Sequence, residues 1–475
     1  MNIVKRMGQH DPLKIAFVSK DRSIDYGELT YLVSKTASRL QHLAGHAVVA
    51  VDMQDGINAI IVRLALAQLG CAPVPLMMKM GIFEVQTRWQ LSGASHLIAD
   101  FDAPGNPLPT TVIKDLEAEI EGYEIFTKYA HGGDFPLFVC WSGGTHGTPD
   151  ALTHSHSSII AMADHSPVWA GNWVDDKVYC MAPMHTAFFS MYLGIHIYLG
   201  GTMVIEEGAF SPLTAAGTII NHKVTHFGTT PALYSMLLRR EALTKEQVPA
   251  ICLVAGDAVP AQLVRAWESK YDVTLRTCLA SSQTGPITFR TSRDEPNDSV
   301  GRLLPGVELK LLDDNGVEVP VGEPGEAWFR SPQNAIRDKT PSGQSSLRDD
   351  WITAHDILRQ TADGIIYFMG RSKDTFKVNG YFVNPKKIED RVRDVPGVQD
   401  AAAVAQVDEH GLKRVKVYVV TTEAAVDKER VELDIREMVS DLDSHERVRH
   451  VEFIDEIPRH PMSQKVQKFR LLPTE

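Results

Sequence analysis

Between residues 12 and 100 the apolar positions switch between two spacings. Lys14-Ile15-Ala16-Phe17-Val18 and Ala47-Val48-Val49-Ala50-Val51 have strand composition. Between them Ser23-Ile24-Asp25-Tyr26-Gly27-Glu28-Leu29 opens a helical pattern that runs to His42. This alternation predicts parallel α/β layers. Asn58 to Leu69 repeats the helical spacing and stops at Gly70, ahead of the proline-punctuated strand Ala72-Pro73-Val74-Pro75-Leu76; a further unit runs from Met80 to Asp100. Val224-Thr225-His226-Phe227-Gly228-Thr229-Thr230-Pro231 ends a strand at a small-residue turn that starts a helix. Leu253-Val254-Ala255-Gly256-Asp257-Ala258-Val259-Pro260 repeats the design. Such strand ends are where open α/β sheets hold ligands. Near the carboxy terminus Val415 to Val420 and Val451 to Ile454 read as strands, with a helix from Val431 to Leu442 between them.

Composition narrows the class. At 475 residues two or three domains are expected. A hydrophobic content of 44% with 23% charged residues is that of a soluble globular protein. The net charge of −12, without any lysine- or arginine-rich stripe, argues against nucleic acid as the main partner. Met1 to Asp11 lacks the apolar core of a signal peptide, and no apolar run approaches the ~20 residues of a membrane span, so a cytoplasmic location is expected. Cys71, Cys140, Cys180, Cys252 and Cys278 are odd in number and scattered, which predicts buried free thiols. No CxxC or Cys/His ligand spacing is present, so no zinc or other metal centre is expected.

Candidate chemistry concentrates in Cys140-Trp141-Ser142-Gly143-Gly144-Thr145-His146-Gly147-Thr148-Pro149-Asp150, directly after the apolar run Phe135 to Val139. Glycines let the backbone approach a polyphosphate, and Ser142, Thr145 and Thr148 add hydroxyl donors. The Walker-type Gly-Lys-Ser/Thr ending is missing, and an ordinary strand-to-loop turn has the same composition. His154 and His156 share a face only in an extended segment, and no third metal ligand is near them in sequence. His185, inside the apolar stretch Met181 to Ser190, has the surroundings of a core histidine.

In order along the chain, these motifs resemble the adenylate-forming superfamily of acyl-CoA synthetases, aryl-acid ligases, luciferases and peptide-synthetase adenylation domains. The glycine loop followed by Ser155-His156 resembles the family's phosphate loop and its downstream Thr-His. Gly301 to Gly306, Asp313-Asp314-Asn315-Gly316 and Gly322 to Glu326 resemble the segment before the family's hinge. Trp351-Ile352-Thr353-Ala354-His355-Asp356 is similar to its Trp-x-x-Thr-Gly-Asp. Gly370-Arg371-Ser372-Lys373-Asp374-Thr375-Phe376-Lys377-Val378-Asn379-Gly380 matches most closely, and Ile457 to Lys465 resembles the loop of the catalytic lysine.

The resemblance implies an α/β fold in two parts. Residues 1–373 would form a large domain of layered α/β subdomains with a small barrel-like segment near 300–370. Residues 374–475 would form a small mobile α+β domain turning about Asp374. It implies ATP-dependent activation of a small-molecule carboxylic acid as acyl-adenylate, with Mg²⁺, and transfer to a thiol of coenzyme A or of phosphopantetheine on a separate carrier protein. Lys465, Thr284 and His185 would be catalytic. Ser142, Gly143, Gly144, Thr145, Gly147, Gly256, Asp257, Thr284, Asp356 and Arg371 would hold the nucleotide. His185, Thr186, Phe189, Gly228, Thr229, Ala255, Gly256 and Ala280 would line the acyl pocket, and Gly380 would lie on the thiol-acceptor face. That lining has no buried acid to meet an amino group, which favours a fatty, aryl or other simple acid over an amino acid.

The departures fall on the nucleotide side. Asp150 stands where the family has lysine and His146 where it has threonine, so an anion replaces a cation near phosphate. In Leu279-Ala280-Ser281-Ser282-Gln283-Thr284-Gly285, Ser281 replaces the adenine-packing aromatic and Gly285 the Mg²⁺-associated glutamate; no acidic residue occurs between Leu275 and Ser292. Ala354 and His355 replace the Thr-Gly ahead of Asp356. Two readings follow: adenylation persists with other groups completing the site, or the fold serves another acyl or adenylate transfer or a non-catalytic role in a pathway.

Overall fold

The computed structural model describes every residue except 78–81, 104–105, 143–148, 207–210, 341–342, 348–349, 373–375, 379–380, 408–412, 424–426, 460–465 and 472–475. A 13-stranded sheet organises the larger part. Six of its strands run parallel in the order Ile15–Val18, Thr202–Val204, Lys177–Cys180, His226–Thr229, Ile251–Val254 and Leu275–Ser281. The sheet then turns antiparallel through Gly285–Phe289, Ser299–Leu303, Ile366–Arg371, Asp356–Gln360, Pro324–Arg330 and Glu308–Leu312. The segment expected to be barrel-like is thus hydrogen-bonded onto the main sheet. Helices 212–222, 231–239 and 261–271 cover one face through Phe227, Cys252 and Val254, while Leu253 and Ala255 join the core on the opposite face. The strands read as continuous apolar runs because both faces are buried.

The amino-terminal units form a second, all-parallel sheet, Ala72–Pro75, Val48–Asp52, Leu97–Ala99 and Thr110–Val112. Pro73 and Pro75 are tolerated there because their strand lies at the edge. Helix Ile57–Leu69 stops where the pattern predicts: Gly70 adopts φ +83°, and a Cβ there would lie 2.9 Å from Ala130. A short helix, Ile3–Met7, precedes the first expected one, which begins later than expected, at Tyr26, since Ser23–Asp25 forms a strand and the Asp25 carboxylate caps the helix by accepting from the Glu28 N–H. Likewise Ala151–Ser155 is a strand, and helix His156–Asp164 opens on a Ser155–Ser158 capping box.

The carboxy-terminal residues build their own core, from Val378 to Val448, around strands Val398–Val407, Lys413–Thr421 and Val448–Phe453 and helices Pro385–Arg393 and Lys428–Met438. A large layered α/β body and a small α+β one are the expected fold. Asp374, the expected hinge, lies outside the described residues. All five cysteines are free and buried. Among the described residues no helix is long and apolar enough to cross a membrane.

Candidate functional site

The parallel strands end together at one edge of the main sheet, and the predicted pocket residues collect there. The Met181 N–H donates to the Gly228 carbonyl (2.9 Å) and the Ala255 N–H to the Thr229 carbonyl (3.1 Å), which aligns three strand ends. Gly256 takes φ +91° and carries the chain out of strand Ile251–Val254, leaving Asp257 exposed. Thr186 caps helix Ala187–Leu199 by accepting from the Phe189 N–H (3.2 Å). Thr229 turns its hydroxyl into the sheet, donating to the Met181 carbonyl at 3.0 Å, and Phe189 is 2% exposed within the core. Phe188 packs edge-on against Tyr192 at 5.1 Å instead, and the Tyr192 hydroxyl stands against Gly228, 2.6 Å from where a Cβ would be. Ala255 is buried beside Gly228, whereas Ala280 is exposed at the rim.

His185 sits beside a peptide clamped by the amino-terminal unit. The Met184 N–H donates to Asp55 Oδ2 (3.1 Å), and Arg63 Nη1 donates to the Met184 carbonyl (2.7 Å). Burial lowers the Arg63 guanidinium to about 10, with Asp55 opposing the shift. Burial also lowers the His185 imidazole; Asp55 opposes this, while Arg63 and Arg88 push in the same direction. The ring is therefore held largely neutral at pH 7 and available as a proton acceptor. Asp55 and Arg63 carry no motif signal, being more than a hundred residues from His185 in sequence.

Ser142 and Asp150, which flank residues 143–148 of the predicted phosphate loop, are bonded to each other. The Ser142 N–H donates to the Asp150 carbonyl (3.0 Å), and Ser142 Oγ accepts from the Asp150 N–H (2.8 Å) while donating to its carboxylate (3.3 Å). Asp338, on the neighbouring strand Arg337–Thr340, is pushed up to about 6 by burial and by Asp150. Gly143, Gly144, Thr145 and Gly147 lie outside the described residues, as do Lys465 and Gly380.

The turn before Thr284 explains two departures. Ser281 Oγ accepts from the Thr284 N–H (3.1 Å) and lies 2.8 Å from its hydroxyl, so this serine shapes the turn. Thr284, 1% exposed, donates to the Gly285 carbonyl at 3.1 Å. Gly285 adopts φ +66°, and a Cβ on it would lie 2.5 Å from Met162 Cε. A side chain here would be strained and would displace Met162. The described residues thus offer no carboxylate for Mg²⁺ at this turn, and none of them form a cluster of three metal-ligating side chains. His154 and His156 part company. His154 Nε2 lies 2.9 Å from the Ser282 carbonyl and ties the turn to strand Ala151–Ser155, while His156 Nδ1 accepts from the Ile3 N–H at 3.2 Å.

Asp356 and Arg371 are brought together most directly. They are partners in register across strands Asp356–Gln360 and Ile366–Arg371, with Arg371 Nε 3.5 Å from Asp356 Oδ1. Asp356 is 3% exposed, so its carboxylate lies where water competes little for hydrogen bonds. His355, standing where the family motif has glycine, keeps a left-handed φ of +60°. That conformation costs a non-glycine residue about 1–2 kcal/mol. Three bonds hold it: from His355 Nδ1 to Glu326 (2.7 Å), from its N–H to Thr353 Oγ1 (2.9 Å), and from the Ser372 N–H to its carbonyl (2.7 Å).

Comparison with known proteins identifies the family and the fold. Residues 4–336 match the family model of the AMP-binding enzyme, and residues 387–462 that of the AMP-binding enzyme C-terminal domain. The 3-hydroxybenzoate–CoA ligase of Aromatoleum sp. (strain CIB) is 25% identical, the alignment covering 96% of this chain and 92% of that one. The fatty acid–[acyl-carrier-protein] ligase ScoC of Streptomyces coeruleorubidus is 24% identical over 95% of this chain and 92% of its own. In fold the chain is similar to the anthranilate CoA ligase AuaEII in complex with anthranoyl-AMP, with TM-score 0.88 and 23% identity, covering 99% of this chain and 96% of that one. It is also similar to a benzoate CoA ligase from Burkholderia xenovorans LB400, with TM-score 0.86 and 22% identity over 99% of both chains. With one family model spanning well over half its residues and a second on the smaller body, the chain belongs to the AMP-binding enzymes, the adenylate-forming ligases that activate a carboxylic acid as acyl-adenylate and pass it to a thiol.

Proposed function

We propose that this chain activates a simple, non-amino carboxylic acid with ATP and delivers the acyl group to coenzyme A or a separate carrier protein, despite Asp150 and Gly285. The observation that carries the reading is the buried Asp356 carboxylate paired in register with Arg371. A carboxylate that only accepts hydrogen bonds suits the two ribose hydroxyls, and the adjacent guanidinium suits the phosphate side. A scaffold that had lost nucleotide chemistry would gain nothing from burying the Asp356 carboxylate.

In the first step a carboxylate oxygen attacks the α-phosphorus and pyrophosphate leaves; in the second a thiol sulfur attacks the acyl carbon and AMP leaves. Thr284, whose N–H is held by Ser281, would serve the nucleotide, as the resemblance implies. Neutral His185, steadied by the Asp55 and Arg63 clamp, supplies a base at the acyl side. Lys465 would bridge the carboxylate and α-phosphate as a point charge, the role the resemblance gives it. The family uses Mg²⁺, but the described residues do not fit it at the turn, and no step here is derived through it. The relatives' names support a simple carboxylic acid and an external thiol: 3-hydroxybenzoate with coenzyme A in one, a fatty acid with acyl-carrier protein in another. The test is acid-dependent pyrophosphate release from ATP, with Lys465→Ala alongside. Release that requires an acid and collapses in the variant supports the reading; a folded protein that releases none with any acid overturns it.

A further inference from the structure

The face of helix Ala187–Leu199 that meets the main sheet carries a large aromatic side chain where the opposing strand has none. Gly228 lacks a side chain, and Tyr192 fills the space: its hydroxyl lies 2.6 Å, and its Cζ 3.1 Å, from the position of a Cβ on Gly228. Tyr192 is 4% exposed and cannot swing aside, because rings surround it. Phe188 packs edge-on at 5.1 Å, Trp173 lies at 5.4 Å, and His226, from the same strand as Gly228, bonds the Tyr192 hydroxyl through Nε2 at 3.2 Å. Behind them Trp173 contacts His226 at 4.9 Å and Trp169 at 5.7 Å, and Trp169 stacks on Phe289 at 4.9 Å. The aromatic wall is continuous from the helix start to the antiparallel part of the sheet.

We infer that Tyr192, locked by His226 against Gly228, sets the depth of the acyl pocket and restricts the acid to a compact one of a single aromatic ring. The inference rests on the ligase reading above and deepens it. An alkyl chain continuing past Gly228 between this helix and its strand would have to pass through Tyr192 and then Trp173; a single ring stops short of them and meets Phe188 and Tyr192 in the edge-to-face manner aromatic rings prefer. Close packing makes such a wall discriminating, since a core cannot admit extra methylenes without strain.

The test measures pyrophosphate release with benzoate, 4-methylbenzoate, 4-phenylbenzoate and octanoate. It compares wild type with Tyr192→Phe, Tyr192→Leu and Tyr192→Ala, each checked for folding by thermal melting. In the wild type kcat/KM for benzoate should exceed that for octanoate and 4-phenylbenzoate by about 100-fold, the scale on which a tight apolar pocket discriminates. Tyr192→Leu and Tyr192→Ala should lower that ratio by about tenfold or more and leave the KM for ATP within about twofold, which a general loss of structure would not do. Tyr192→Phe, the variant most certain to fold, should raise 4-methylbenzoate relative to benzoate by about threefold through the space of the missing hydroxyl. A wild type that takes octanoate as readily as benzoate, or folded variants with unshifted ratios, removes the inference and leaves the ligase reading standing. Absence of release with every acid removes both.

Discussion

Asp356→Asn is the sharpest probe of the nucleotide site because it changes charge and almost nothing else. The side chain keeps its volume and one carbonyl acceptor, so no cavity opens in a position only 3% exposed. Its ion pair with Arg371 is lost, but the Arg371 side chain is 32% exposed and 3.5 Å away, so the cost to folding should stay below about 1 kcal/mol. The cost to nucleotide binding is larger. Hydrogen bonds to a charged acceptor contribute about 1.5–3 kcal/mol, and at 1.36 kcal/mol per decade this predicts a fall in kcat/KM for ATP of roughly 10- to 150-fold. The KM for the acid should not move, since the residues proposed for the acyl pocket lie on or next to other strands and helices. Steady-state pyrophosphate release with ATP varied at saturating acid measures the first quantity, and thermal melting controls for folding. A variant that melts like wild type and keeps its KM for ATP within about twofold would refute the ribose assignment, whatever the motif suggests.

Three further perturbations follow from the packing. Arg290, with a fully buried side chain, donates to Glu268 at 2.7 and 3.3 Å and to Asn297 at 2.8 Å, so Arg290→Met should destabilise the fold by about 3–5 kcal/mol in urea titration by stranding the carboxylate; a loss below 1 kcal/mol would contradict it. Gly228→Ala sets a methyl 2.6 Å from the Tyr192 hydroxyl and should cost about 1–3 kcal/mol, partly recovered in the Tyr192→Phe background; an unchanged urea midpoint would mean the wall yields freely. Burial lowers His154 and His156 to about 4 and His196 and His226 to about 3, from an ordinary 6.5. Below pH 6.5 the unfolded chain binds protons that the folded chain refuses, so stability is full above that pH and falls toward pH 4 by up to about 1.4 kcal/mol per pH unit for each ring. Urea midpoints that do not fall between pH 7 and pH 5 would show these rings to be protonated in place.

Local chemistry made much of this chain legible in its sequence. Helix Ile57–Leu69 and its stop at Gly70, and the small-residue turns after strands His226–Thr229 and Ile251–Val254, follow from periodicity and φ preferences over a few residues. What the sequence could not show depends on which strands neighbour one another, because contact across a sheet is set by topology and not by spacing along the chain. Phe189 and Phe188 are indistinguishable in composition, yet helix rotation buries the first in the core and turns the second toward Tyr192. Lys468, whose side chain is 15% exposed, lies 2.6 Å from Glu389, a residue 79 positions earlier that no spacing along the chain connects to it. The losses at Gly285 and His355 look like decay of a motif. In the fold, Met162 occupies the space at the first, and hydrogen bonds hold the second in glycine's conformation. Residue types and backbone preferences determined the elements and the candidate chemistry; the packing of the amino-terminal unit and of helix Ala187–Leu199 against the main sheet decided that Asp55, Arg63, Tyr192 and His226 meet the candidate site, since only tertiary packing brings such distant groups within van der Waals and hydrogen-bond range.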